Sequence, residues 1–266
     1  MTTAFRDGLV VSWRNLKRIP RIPELAIFAI LQSIMFVTLF AVVFGGAIPL
    51  PGYPPDPKFY REYLMPGIFA QTIVFAAGTT AIGMADDVGK GIIDRFRSLP
   101  MSRSGVLSGR SFADVVYNGG IVIVLMLSGL VVGWTVNTGF AALIEGFLLL
   151  LLFAFAMSWL GIFLGLSVPS VEVAQQAIFT VLFPITFISN VFVPIESLPD
   201  WLQPIAEWNP TSTLTASLRQ LWGNPNPFAT DSFPSQHAVV VTIGWVIAIV
   251  AIFGPLGVRK YRRMSR

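Results

Sequence analysis

Between Gly146 and Leu166 the chain runs "GFLLLLLFAFAMSWLGIFLGL", without one charged residue. About 20 apolar residues cross the hydrocarbon core of a bilayer as a helix. Such a run has few other homes, and it sets the frame for the rest. The 266 residues are 54% hydrophobic and 12% charged, against about 25% charged in a soluble domain. The sequence therefore predicts an all-α polytopic membrane protein with lipid as part of its solvent. Six segments are long and apolar enough to span: 25–48, 64–85, 112–135, 140–166, 175–193 and 237–257. Pro184 falls inside the fifth, where neighbouring groups can satisfy the freed carbonyl.

Fifteen of the eighteen lysines and arginines precede the first span, lie between spans two and three, or follow span six. Lys58, Arg61 and Arg219 fall on the other side. By the positive-inside rule both termini are cytoplasmic, and the charge of +4 points to a membrane surface rather than nucleic acid. Residues 1–23 are not a cleavable signal, because the apolar run comes late and is too long. Phe5, Leu9, Trp13, Leu16 and Ile19 recur there at helical spacing among basic residues. That pattern fits an interfacial amphipathic helix; a plain basic topogenic tail is the alternative.

The absence of cysteine and the single histidine, His237, leave no room for thiol chemistry or a histidine metal cluster. "GMADDVGKG" has five residues between its first Gly and the Gly-Lys pair and lacks the following hydroxyl, so it is not a phosphate loop. Asp114, Glu145 and Glu172 lie near predicted span ends, where carboxylates reach headgroups or water. In the loop 86–103, Ile92, Phe96 and Leu99 fall at i, i+4, i+7, and Pro100 stops the turn. This spacing suits a short helix docking in a partner's groove or one resting on headgroups. On the fifth span Gln176, Thr180, Phe183, Phe187 and Asn190 make a polar–aromatic stripe, with Ile178, Leu182, Ile185 and Phe192 opposite. Gln71 and Phe75 begin a shorter one on span two. Either stripe can line a path for an amphipathic molecule or pack against neighbouring helices.

Between spans five and six lies "NVFVPIESLPDWLQPIAEWNP", with three carboxylates, two tryptophans and four prolines. It is too broken to span and too apolar for an ordinary loop. Extended to residue 222, it and the loop "DDVGKGIIDRFRSLPMSRSGVLSGR" resemble two landmarks of the ABC-2 family of transporter permeases, particularly the daunorubicin-resistance-like exporters. The resemblance covers essentially the whole chain. It implies a re-entrant hairpin at 194–222 on the outer side, broken at Pro194 and Pro199, anchored by Trp201 and Trp208 and returning at Asn209-Pro210. It also implies a coupling segment with Asp86, Asp87, Gly91, Ile92, Asp94, Phe96, Leu99 and Pro100 toward an ATPase. Asp86 and Asp87 stand where the family often has the longer Glu.

The resemblance further implies a half-transporter in the bacterial plasma membrane. It would pair with an identical or related permease and dock two copies of a separate ATP-binding subunit. ATP and magnesium would sit on that subunit, no cofactor on this chain, and the chain would hydrolyse nothing. The passenger would be a hydrophobic drug, lipid or glycolipid. Two other classes stay open: a structural or regulatory membrane subunit, and a proton-driven transporter, for which neither internal repeats nor midplane ionisable residues are evident in the sequence.

Overall fold

The computed structural model describes residues 2–18, 27, 31, 34–35, 37–39, 50–54, 56–93, 102–191 and 195–263. The expected first span, 25–48, and the residues Asp94, Phe96, Leu99, Pro100, Phe192 and Pro194 lie wholly or largely outside these. The described regular structure is helical: α1 (Thr2–Arg18), α2 (Pro57–Gly89), α3 (Arg103–Val131), α4 (Phe140–Ser167), α5 (Val171–Phe187), a 3-10 turn (Ile195–Ser197), α6 (Gln203–Trp208), α7 (Pro210–Trp222), α8 (Phe233–Gln236) and α9 (Ala238–Arg263). Among the described helices, α2, α3, α4 and α9 are long and apolar enough to cross a membrane, and α5 is a shorter apolar helix.

Helix bounds depart from the apolar runs for local reasons. Asp56 caps α2, its side chain accepting from Lys58 N, and Pro57 occupies the first turn, where a missing N–H costs nothing. The helix thus starts seven residues before the apolar run at 64 and carries on through Asp86 and Asp87 to Gly89. Ser102 caps α3 by accepting from Gly105 N, which starts that helix well ahead of 112. It stops at Val131, and Gly133 turns the chain at φ +94°.

The centre of the bundle is α2. Its Leu64, Met65, Phe69 and Ile73 are buried with Leu150 and Phe153 of α4, Val122 and Leu125 of α3, and Leu214 and Leu218 of α7. Gly161 and Gly165 let α4 lie on the α2 backbone, because a Cβ at either would collide with the Ala77 or Ala81 carbonyl. Small residues four apart are how membrane helices gain close van der Waals packing. Gly78 and Gly67 accept Ile178 of α5 and Val191 beyond it in the same way.

The bundle has two distinct ends. At one, α1 lies on the start of α3, with the Gly8 backbone against Gly109 and Ser12 Oγ donating to the Gly109 carbonyl at 2.6 Å. Val11, Met84, Ile93, Val106, Leu107, Trp159 and Tyr261 form a second core beneath it. Leu9 and Trp13 of α1 are exposed, so the packed face is the small-residue one and the aromatic–basic face points away. At the other end, Phe69, Trp134 and Trp222 meet edge to face with centroids 5.1–5.7 Å apart. Gly146 leaves room for the Trp222 ring, whose Nε1 donates to Ala142 O.

Candidate functional site

The segment after α5 folds as a helical hairpin, α6 then α7, on the end away from α1. Asn209 makes it. Its Oδ1 accepts from Thr211 N at 2.8 Å as the cap of α7, with Pro210 following. Its Nδ2 donates to the carbonyls of Ile185 and Ile188 at 2.7 and 2.6 Å. One side chain thus caps the start of α7 and the frayed end of α5, and this is why α5 ends at Phe187 rather than near 193. Gly223, in the left-handed region at φ +63°, closes α7. Pro199 lies in the exposed turn, its carbonyl accepting from Leu202 N. Trp201 is 72% exposed. Trp208 is half-exposed, stacks on Phe233 at 6.4 Å, and its carbonyl accepts from Trp245 Nε1.

Arg219 departs from the sequence reading. It counts among the outer-side charges, yet it is 1% exposed. Its Nε donates to Tyr63 O at 3.0 Å and its Nη2 to Asn190 O at 3.2 Å, while the guanidinium lies 3.8 Å over the Tyr63 ring. Carbonyls and a π face stand in for a carboxylate, and the planar fork suits both at once. Nearby, buried Glu62 accepts from Thr135 Oγ1 at 2.6 Å and Asn137 Nδ2 at 3.3 Å, tying the α3–α4 loop to α2.

On α5, Gln176, Thr180, Phe183 and Phe187 lie on the exposed side, and the two phenyl rings stack at 4.1 Å. Ile178 and Leu182 are buried and Ile185 is half-buried, so this helix packs on α2 through its aliphatic side. Thr180 Oγ1 donates to Gln176 O. Asn190 does not continue the stripe: it lies past the helix end, its N–H donating to Ser212 Oγ and its carbonyl serving Arg219. Gln71 is half-buried, and Phe75 packs against the main core.

At the α1 end, Asp86 pairs with Lys90 at 2.8 Å. Asp87 turns inward at 4% exposure, where Arg110 Nη1 reaches it at 2.8 Å and Arg14 of α1 at 4.0 Å. A carboxylate so buried faces the bundle. Gly91, at φ +65°, bends the chain into Ile92 and Ile93. Asp114, expected at the interface, instead lies within α3, accepting from Thr80 Oγ1 at 2.9 Å. Sequence reading passed over Arg110 as a topogenic charge. The available signal was its i, i+4 spacing to Asp114.

A family model described as "ABC-2 type transporter" matches residues 8–221, which take in α1 through α7. The chain is 29% identical over 263 residues to the "Daunorubicin resistance ABC transporter permease protein DrrB1" of Streptomyces coeruleorubidus, covering 99% of this chain and 88% of that one. It is also 25% identical to the "Putative transport permease ycf38" of Cyanophora paradoxa, covering 94% of this chain and 85% of the relative. A protein of the same name from Porphyra purpurea is 23% identical, over 89% and 81%. With one unbroken match from α1 through the hairpin, the chain belongs to the ABC-2 type transporter family of permeases.

Proposed function

We propose that the chain is the transmembrane subunit of an ATP-driven exporter that moves a hydrophobic or amphipathic molecule, a drug, lipid or glycolipid, out of the cytoplasm or inner leaflet. The observation that carries this reading is the likeness, along nearly the whole chain, to a relative named as a daunorubicin resistance permease. The fold supports it. Arg14, Lys90, Arg110 and the basic end of α9 lie at the α1 end, which makes that end cytoplasmic under the positive-inside rule. The hairpin then dips into the membrane from outside, with Trp201 and Trp208 at the interface. The segment 86–103 meets a separate ATP-binding subunit through Ile92, Phe96 and Leu99, with Asp86, Gly91, Asp94 and Pro100 shaping that contact. Two such subunits hold the ATP and magnesium and serve a pair of permeases. The exposed Gln176–Thr180–Phe183–Phe187 side faces the second permease and lines the path, since a passenger of this kind needs apolar walls with few polar groups.

The test is Phe96→Asp in the chain produced together with its ATPase. Loss of an anchor from a groove typically costs about 2 kcal/mol or more. The variant is expected to insert normally while ATPase co-purification and export fall by more than tenfold. Wild-type co-purification together with wild-type export would remove the coupling assignment.

A further inference from the structure

The charges between α2 and α3 form a ladder that the coupling reading leaves unexplained. The two helices face one another through Thr80, Gly83 and Asp87 on α2 and through Asp114 and Arg110 on α3. Thr80 Oγ1 donates to Asp114 Oδ2 at 2.9 Å, and Arg110 Nη1 donates to Asp87 Oδ2 at 2.8 Å. Between these rungs the Arg110 guanidinium fills the place a Cβ would take at Gly83, where a side chain would collide with Nη2. Arg110 Nε is buried without a hydrogen bond and lies 3.4 Å from Asp114 Oδ1, so one guanidinium is held between carboxylates on two helices. The three ionisable side chains are all largely buried, with side-chain exposures of 13% for Arg110, 6% for Asp87 and 18% for Asp114. Ionised groups inside a membrane protein persist only when each is paired, and sliding one helix along the other would leave a charge alone.

We propose that Arg110, seated in the Gly83 notch, is the positioning residue that fixes the register of α2 against α3 and thereby sets where the chain leaves α2 at Gly91, Ile92 and Ile93. Asp87 serves Arg110, with Arg14 of α1 as its second and longer partner, and does not touch the ATPase. The register rests on this geometry alone; its part in coupling rests on the exporter reading above. Gly83→Ala is the informative change, because the atom it strikes is the far end of a flexible side chain. The fold survives it and the guanidinium leaves the notch.

Two measurements test this. The chain has no cysteine, and Met84 and Val106 line one small cavity beside Asp87 and Arg110. Met84→Cys with Val106→Cys, in the purified full chain without any ATPase, is expected to be joined by a short bifunctional thiol cross-linker. Gly83→Ala or Arg110→Leu is expected to lower the cross-link yield several-fold, because either change takes the guanidinium out of its buried ion pairs, with Arg110→Lys in between. An unchanged yield in both would overturn the register claim. In vesicles holding the complex, Gly83→Ala is expected to keep ATPase co-purification and to lower transport per ATP hydrolysed several-fold. A lowered cross-link yield with an unchanged ratio would overturn the role in coupling. If no ATPase associates with the wild-type chain, the exporter reading fails, and the cross-link still decides the register.

Discussion

Asn209 does the work of three residues, so its replacement should cost more than a helix cap. Asn209→Ala removes the bond to Thr211 N and strands the carbonyls of Ile185 and Ile188. A lost cap costs about 1 kcal/mol, and a buried acceptor left unmade about 1–3 kcal/mol. With two carbonyls stranded as well as the cap lost, the expected loss is about 3 kcal/mol or more, read as a lowered thermal midpoint in detergent. Asn209→Asp separates the two roles. It keeps the cap acceptor, loses both donors and sets a negative charge against two carbonyls, so it should be no better than alanine. An aspartate variant of wild-type stability would show that the link to α5 is dispensable. The Asn-Pro pair could be read from the sequence as the start of a return, because its capping chemistry is local. The role of Arg219 could not, because both carbonyls it serves come from residues distant in sequence, Tyr63 and Asn190.

Among the elements, the seam between α2 and α4 gives the sharpest test. Gly161→Val brings its Cβ against the Ala77 carbonyl and Thr80, and overpacking typically costs about 1–3 kcal/mol. Lower yield of folded protein and a reduced thermal midpoint are expected. A Cβ at Gly244 on α9 meets nothing within 4 Å, so Gly244→Val there should be nearly silent. Equal effects at both positions would mean that the seam is not specific. The helices themselves were legible, since long uncharged runs have few alternatives. Their ends were less so, because hydropathy is blind to Asp56 and Ser102, whose caps extend α2 and α3 beyond the apolar runs. That Gln176, Thr180, Phe183 and Phe187 share one side of α5 followed from periodicity; that this side is the exposed one did not. The displacement of Asn190 did not, because the helix stops before the period reaches it.

For the whole molecule, the topology predicts that a cysteine replacing exposed Asp200 reacts with an impermeant thiol reagent from outside intact cells. Reaction only after permeabilisation would invert the reading. The path predicts a change in selectivity. Phe183→Ala and Phe187→Ala should alter which of several chemically different compounds leave at matched expression, whereas Ile178→Ala and Leu182→Ala should weaken export of all of them alike through lost packing. A uniform loss from both sets would make the exposed side of α5 a packing surface. The length of α2 bears on how such a protein moves. From Pro66 to Gly89 it is about 35 Å of helix at roughly 1.5 Å per residue. Val191 packs against Gly67 near one end, and Arg110 holds Asp87 near the other. Were such a rod to tilt about its hairpin end, its far end would move most. A tilt of about 5° would carry Asp87 through ~3 Å, as far as its whole separation from Arg110.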